Sequence, residues 1–354
     1  MAGILFGQSY YLRFDPKLWA AMQPYPPLGT LYVASYVRAR GYEVALFDAM
    51  LAESEQEWAA ALDLHQPEYA ILYEDNFNYL SKMCLLRMRE AAFTMISMAK
   101  SRGCTVIAAG ADMTDHSGLY LEQGADYVLL GEGEETLGEL LDALTGRTQQ
   151  RPESIVGLNS RKTIQPSRRP DMRSLDALPF PAWDLVDVER YRRIWLDRHG
   201  YYSMNMVTTR GCPYHCNWCA KPIWGQRYNS RSPENVAQEL KWLKSAYRPD
   251  HIWFADDILG LKPGWVEKFA GLVRESEALV PFKCLMRADL INEGAADALR
   301  QAGCKTVWLG AESGSQKILD AMDKGDKPLR LLAESGLRPQ HPTTRGTAGN
   351  AGRE

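Results

Sequence analysis

A chain of 354 residues with 45% apolar and 24% charged content is long enough for two domains, each with its own core. Its net charge of −3 gives a polyanion nothing to bind, so nucleic acid is not an expected partner. The first residues lack a basic start and apolar core, no apolar run reaches membrane-spanning length, and seven cysteines without framework spacing suit a reducing compartment. The expectation is a cytoplasmic protein with no membrane span.

Up to Gly146, strand-like runs alternate with helical ones. Strands are expected over 3–7, 43–49, 69–75, 105–110 and 127–131, and helices over 28–40, 53–65, 80–102 and 136–145. Gly41, Gly103, Gly124 and Gly146 stand at or near the helix ends, where glycine accepts a left-handed backbone. The alternation predicts a doubly wound, mainly parallel sheet that binds its ligand at the carboxyl ends of the strands. Leu28 and Gly29 in Pro26-Pro27-Leu28-Gly29, then Gly110, Thr114, and Gly131-Glu132-Gly133-Glu134 fall at such ends. Glycine there lets a ligand approach the backbone; each stretch alone also reads as an ordinary helix-start turn. The proline-bearing segment 149–199 reads as a connector without a regular element across the join.

An apolar stretch, 204–209, then runs as a strand into Gly211-Cys212-Pro213-Tyr214-His215-Cys216-Asn217-Trp218-Cys219. Three thiolates spaced C-x3-C-x2-C on one loop suit an iron–sulfur cubane that leaves one iron open to a small molecule. Zinc with His215 as fourth ligand is the alternative, but zinc sites usually draw on a second cysteine or histidine pair, and none follows. Cys84, Cys104, Cys284 and Cys304 look solitary and buried. Beyond the loop, Ser232-Pro233-Glu234 opens a helix with a capping hydroxyl, a first-turn proline and a dipole-matched carboxylate. Strands over 251–255, 282–286 and 306–310 follow, with helices over 264–274, up to Gly303 and up to Met322. Asp256-Asp257, Arg287 with Asp289, and Glu312-Ser313 gather at the strand ends, where α/β barrels place their chemistry. Each also reads as a cap or a turn charge.

The cysteine spacing, with an aromatic before the last cysteine, resembles the radical S-adenosylmethionine (SAM) superfamily. That resemblance implies that Cys212, Cys216 and Cys219 hold a [4Fe-4S] cluster and that Trp218 lies near the adenine of SAM. It further implies Asp256 near the SAM amino group, Arg287 at its carboxylate, and Glu312 and Ser313 at the ribose or amino-acid part. The PPLG and GEGE stretches resemble the cobalamin-binding domain that precedes the cluster domain in B12-dependent members. By that likeness Leu28, Gly29, Gly110, Thr114, Gly131, Glu132 and Gly133 contact cobalamin. The D-x-H-x-x-G motif of one subgroup is missing; His116 is wrongly spaced for it, so cobalamin without a protein histidine on cobalt is expected.

The implied architecture is α/β: a Rossmann- or flavodoxin-like cobalamin domain at 1–148, a linker at 149–199 and a partial barrel of radical SAM type at 200–325. A short helix over 329–337 and a disordered tail would complete 326–354. The last strand–helix units of such barrels are not seen, so the chain resembles a truncated member whose strand at 306–310 stands at an open edge. The implied activity is reductive cleavage of SAM to methionine and a 5′-deoxyadenosyl radical, with methylation of an unactivated carbon of a small molecule. Ring formation or rearrangement, or a non-catalytic cluster-binding remnant, are the alternatives. An electron donor such as flavodoxin or ferredoxin is the implied partner.

Overall fold

The computed structural model describes residues 3–78, 86–217, 219–220, 223–310, 312–313, 315–324 and 338–340. It divides into two compact units, Met1–Pro213 with Ala220–Arg231, and Tyr214–Cys219 with Ser232–Glu354.

The first unit contains, in chain order, β1 (Ile4–Gly7), α1 (Pro16–Ala21), α2 (Leu28–Ala39), β2 (Val44–Leu46), α3 (Gln56–His65), β3 (Tyr69–Tyr73), α4 (Leu86–Lys100), β4 (Thr105–Ala109), α5 (Ala111–Asp115), α6 (Ser117–Glu122), β5 (Tyr127–Leu129), α7 (Glu134–Leu144), β6 (Leu158–Ser160), α8 (Val188–His199), β7 (Ser203–Met206), β8 (Thr209–Arg210) and β9 (Asn229–Ser230). Its main sheet has the order β2-β1-β3-β4-β5-β6, parallel except for β6. Side chains of one strand alternate between two cores. Leu5 joins Trp58, Met95 and Ile96 on the α3–α4 face, whereas Ile4 and Phe6 join Val37, Leu137 and Leu140 on the α2–α7 face. This is the doubly wound sheet read from the sequence. Chain order reverses between β1 and β3, and their carboxyl ends form the switch point where such sheets bind ligands.

The segment 149–199 departs from the expected connector. It supplies β6 at the sheet edge and a three-turn helix, α8, whose N-cap Asp187 accepts from the Arg190 N–H and whose C-cap Gly200 is left-handed. Trp195 donates its indole N–H to the Pro24 carbonyl at 2.7 Å, and Tyr191 donates to Asp48 at 2.6 Å. Buried aromatics with satisfied polar ends make the segment part of the first unit's core. The single strand expected over 204–209 is also split. β7 stops at Met206, and Thr209–Arg210 pair instead with Asn229–Ser230 in an antiparallel ribbon.

The second unit contains α9 (Pro233–Tyr247), β10 (His251–Phe254), α10 (Trp265–Glu275), β11 (Phe282–Met286), α11 (Glu293–Gln301), β12 (Cys304–Leu309), α12 (Gln316–Ala321) and β13 (Arg338–Gln340). Ser232 caps α9, accepting from the Asn235 N–H at 3.1 Å. β10 to β13 lie side by side in chain order and run parallel, the strand–helix repeat of a partial α/β barrel. Phe254 and Phe282 pack edge-on against each other and against Phe269 of α10. The expected open edge at β12 is corrected by β13, which pairs from Thr306↔Arg338 to Trp308↔Gln340 and so occupies part of the backbone left for aggregation. The expected helix over 329–337 lies outside the described residues, as does Cys84. Cys284 and Cys304 are not solitary: their sulfurs lie 4.0 Å apart, buried on neighbouring strands.

Candidate cluster and cofactor site

The cysteine loop leaves the first unit through β8 and returns through β9, closed at its base by Thr209↔Ser230 and Arg210↔Asn229. Cys212 and Cys216 are half-buried, and Cys219 and His215 are exposed. Three thiols within eight residues, on a loop whose described residues form no helix or strand, match the donor chemistry of a thiolate-bound cluster. Among the described residues, no three His, Cys, Asp or Glu side chains are already drawn together as a metal-ligand set. Trp218 lies outside the described residues.

In the second unit, the SAM candidates stand at the carboxyl ends of β10, β11 and β12. Asp256 is buried just beyond β10. Arg287, directly after β11, is the better-defined group. Its guanidinium lies 3.6 Å from the Tyr214 ring centre, meets Asp289 through two bonds of 3.0 Å and donates to the Lys324 carbonyl at 2.7 Å. Its remaining nitrogen points at Cys216 Sγ from 3.9 Å. Held this way, Arg287 brings a fixed positive charge to Cys216; reaching an anionic ligand as well would require it to share its Asp289 bonds. Glu312 has φ of 55° and meets Lys324 Nζ at 3.2 Å. A left-handed non-glycine backbone costs on the order of 1–3 kcal/mol and persists where the surroundings demand it, often at functional positions. Ser313 accepts from the Ser315 N–H at 3.0 Å, a turn contact that sequence reading could not separate from a ribose contact.

In the first unit, the cobalamin candidates converge on the end of β3. The Gly29 N–H donates to Asp75 at 2.9 Å, with Leu28 buried beside it at the start of α2. The Gly131 N–H donates to Thr114 at 3.0 Å, and the Gly133 N–H to the Tyr73 hydroxyl at 3.3 Å. A Cβ at Gly133 would sit 2.5 Å from the Tyr73 ring, and one at Gly110 would sit 2.8 Å from the Glu74 side chain. Glycine is thus required here by the protein's own packing. Glu132 is engaged too. Its Oε1 accepts from Arg210 at 2.8 Å and Trp224 Nε1 at 2.7 Å, and its Oε2 accepts from the Met172 N–H. Glu134 takes the other arm of Arg210 at 2.6 Å. Burial pushes the Glu132 carboxyl up despite the opposing pull of Arg210. His116 is half exposed beside Asp112 at the junction of α5 and α6.

The sequence reading missed the residues at the switch point itself. Tyr10 Oη, Glu74 Oε2 and Asn76 Oδ1, in the segments following β1 and β3, are buried and have no hydrogen-bond partner among the described residues. Buried polar atoms are nearly always satisfied, so each of these three is an exception among the described residues. Asn76 also lines a cavity with Gly29, Phe77, Glu132, Arg210 and Trp224. The signal in the sequence was the run Glu74-Asp75-Asn76 closing an apolar strand. Glu74 accepts from the Ser9 N–H at 3.0 Å and the Ser9 hydroxyl at 2.7 Å; burial nevertheless pushes its carboxyl up to about 7.

That shift has a sign. The folded state holds a proton that the unfolded chain releases near its ordinary value of 4.5. Glu74's contribution is therefore fully present below pH 4.5 and lost as pH rises through about 7, some ~3 kcal/mol at 1.36 kcal/mol per unit. Glu74→Gln should flatten the decline in urea midpoint between pH 5 and 8; an unchanged slope would show that Glu74 titrates normally.

The Radical SAM superfamily model matches residues 206–333. Over this stretch the chain is similar to radical SAM proteins. An uncharacterized methyltransferase of Pyrococcus horikoshii is 28% identical over 87% of this chain and 65% of its own length. The anaerobic magnesium-protoporphyrin IX monomethyl ester cyclase of Synechocystis is 24% identical over 88% and 63%, and the cytidylyl-2-hydroxyethylphosphonate methyltransferase of Streptomyces wedmorensis is 26% identical over 88% and 65%. The chain thus spans just under two thirds of the length of these curated relatives. Among solved structures, the radical SAM methyltransferase TsrM of Kitasatospora setae, with tryptophan and a SAM analogue bound, superimposes with a TM-score of 0.72 at 19% identity, covering 96% of this chain and 66% of that one. The cobalamin-dependent radical SAM enzyme OxsB gives 0.73 at 18% identity, covering 96% and 49%. These likenesses establish the fold: a doubly wound sheet ahead of a partial α/β barrel. No helix among the described residues is long and apolar enough to cross a membrane.

Proposed function

We propose that this chain is the cobalamin- and SAM-binding part of a radical SAM methyltransferase acting on a small molecule. One observation carries the proposal: the C-x3-C-x2-C loop lies within the stretch that matches the radical SAM superfamily, and a doubly wound sheet precedes it. Cys212, Cys216 and Cys219 hold a [4Fe-4S] cluster; Asp256, Arg287, Glu312 and Ser313, with Trp218, surround SAM. Cobalamin lies over the strand ends of residues 1–148, with Leu28, Gly29, Gly110, Thr114 and Gly131 to Gly133 around it. Tyr10, Glu74 and Asn76 offer hydrogen bonds to the carboxamide arms of its corrin, and no histidine is assigned to cobalt. When bound, these groups supply reductive cleavage of SAM and transfer of a methyl group. The chain's own part is to hold the thiolates, fix Arg287 beside Cys216 and keep residues 200–325 over the substrate. A flavodoxin- or ferredoxin-type donor and a cytoplasmic setting belong to the same proposal.

Anaerobically reconstituted protein, given hydroxocobalamin, dithionite and methyl-labelled SAM, should carry about four irons per chain and form 5′-deoxyadenosine. A triple Cys→Ala variant at 212, 216 and 219 should do neither. Stoichiometric zinc in place of iron would overturn the cluster. Ring closure of the substrate without label transfer would overturn methylation while leaving the cofactors in place.

A further inference from the structure

The segment that joins β6 to α8 is basic on a chain of net charge −3. Residues 161–174 hold five cations, Arg161, Lys162, Arg168, Arg169 and Arg173, against one carboxylate, Asp171. That carboxylate is buried and meets Arg227 at 3.1 Å. Arg169 pairs with Glu135 and Glu139, Arg161 donates to the Leu121 carbonyl at 3.0 Å, and Arg168 lies across Gly131. Lys162 and Arg173 are exposed, and their side chains have no hydrogen-bond or ion-pair partner among the described residues. Between them in the chain, Ile164 is 94% exposed.

The segment is nevertheless built. The Thr163 N–H donates to the Ser160 carbonyl at 3.1 Å and the Ser160 N–H to the Thr163 hydroxyl at 3.0 Å, which closes a turn at its start. Further on, the Gly157 N–H donates to the Ser167 carbonyl at 2.9 Å, and the Met172 N–H to Glu132. One exposed isoleucine is ordinary by itself. On a hydrogen-bonded frame, with free cations on either side of it in the chain, it has the make-up of a protein contact, apolar at the centre and charged at the rim. The segment also touches the cysteine loop. Asp171 meets Arg227 on the returning stem, and a Cβ at Gly211, the residue before Cys212, would lie 2.3 Å from the Arg227 carbonyl oxygen.

We propose that residues 161–173 are the docking surface for the protein that reduces the cluster, an acidic one-electron carrier. The proposal rests on the cluster reading above, since the loop must carry iron to accept an electron. In the step it serves, the reduced carrier loses one electron, the cluster gains it, and no proton or group moves. Charge complementarity names the occupant: the cations steer an acidic partner toward the cysteine stem, and the isoleucine supplies the apolar contact. Encounters between redox partners are brief and bury little area, so a short segment suffices. A nucleic acid would be drawn to the cations alone; the isoleucine among them and the contact with the cysteine stem favour a carrier protein.

The test is the rate at which reduced flavodoxin bleaches the visible absorption of the reconstituted protein. It compares wild type, the double variant Lys162→Glu with Arg173→Glu, and Ile164→Ser. Reduced methyl viologen, a small cation, serves as the second reductant. At low salt the double variant should react with flavodoxin roughly tenfold more slowly, the lower end of electrostatic steering. Added salt should narrow that gap. Ile164→Ser should be slower by about fivefold at every salt concentration, the effect of leaving part of its apolar surface in water. Methyl viologen should reduce all three proteins at least as fast as wild type. Wild-type flavodoxin rates in both variants would overturn the docking surface alone. Equal slowing with methyl viologen would overturn it too, by placing the damage at the cluster. Loss of single-stranded RNA binding in the double variant, with flavodoxin reduction unchanged, would assign the cations to nucleic acid and overturn the proposal. Wild-type protein that takes up no iron would overturn the cluster reading, and the proposal with it.

Discussion

Arg210→Met should destabilise the first unit by about 3–5 kcal/mol, the usual cost of removing one partner from a buried charge set. Arg210 is 4% exposed and bonds to Glu132 and Glu134, both also buried. Burial pulls its guanidinium down, but Glu134 and Glu132 outweigh that and hold it above its ordinary value. Methionine of similar length leaves two buried carboxylates facing each other without a cation. Burial and Glu134 already push the Glu132 carboxyl up and Arg210 opposes them, so the variant raises it further; the stability that remains is present at low pH and falls as pH rises through its folded value. Urea unfolding at pH 5 and pH 8 should therefore show a larger gap between variant and wild type at pH 8. Arg210→Lys keeps the charge but cannot form both forks at once, so it should fall between the two. A loss below about 1 kcal/mol at pH 8, the range of exposed pairs, would show that the set is solvated in solution.

The division between what the sequence disclosed and what it hid follows contact range. Strand–helix alternation, the glycine helix ends and the Ser232 cap rest on neighbours a few residues apart, and the structure places each near its expected position. The spacing of the three cysteines is a local pattern of the same kind. The bonds of Glu132 are not legible in this way, because its partners Arg210 and Trp224 lie 78 and 92 residues away. The α8 helix was hidden differently. Its cap residues Asp187 and Gly200 are visible signals, but prolines at 179 and 181 pointed to a connector, and tertiary burial of Tyr191 and Trp195 decided otherwise. β6 and β13, at three residues each, are too short for any periodicity to show. The run Glu74-Asp75-Asn76 is visible in the sequence, but which of its polar atoms stay unsatisfied is not, since satisfaction is a property of the folded surroundings and not of residue type.

Gly211→Ala should abolish cluster loading and cost about 2–4 kcal/mol, through two additive effects. Gly211 sits between Arg210 and Cys212 with φ of 79°, a conformation that β-carbons oppose. A Cβ built there would lie 2.3 Å from the Arg227 carbonyl oxygen and 2.9 Å from Trp224 Cβ, inside any real contact distance. The first obstacle is backbone of the returning stem, which cannot rotate away as a flexible side chain would. Relief requires the two stems to part, and parting them pulls Arg210 and Trp224 off Glu132 and moves Cys212 away from its partners. Gly200→Ala provides the control. Gly200 ends α8 with nearly the same φ of 73° but has nothing within 4 Å of its Cβ position, so it should show strain alone, about 1 kcal/mol, with full iron loading. If Gly211→Ala loads as much iron as Gly200→Ala and unfolds at the same urea concentration, the two stems of the cysteine loop do not meet in solution at the closeness seen here.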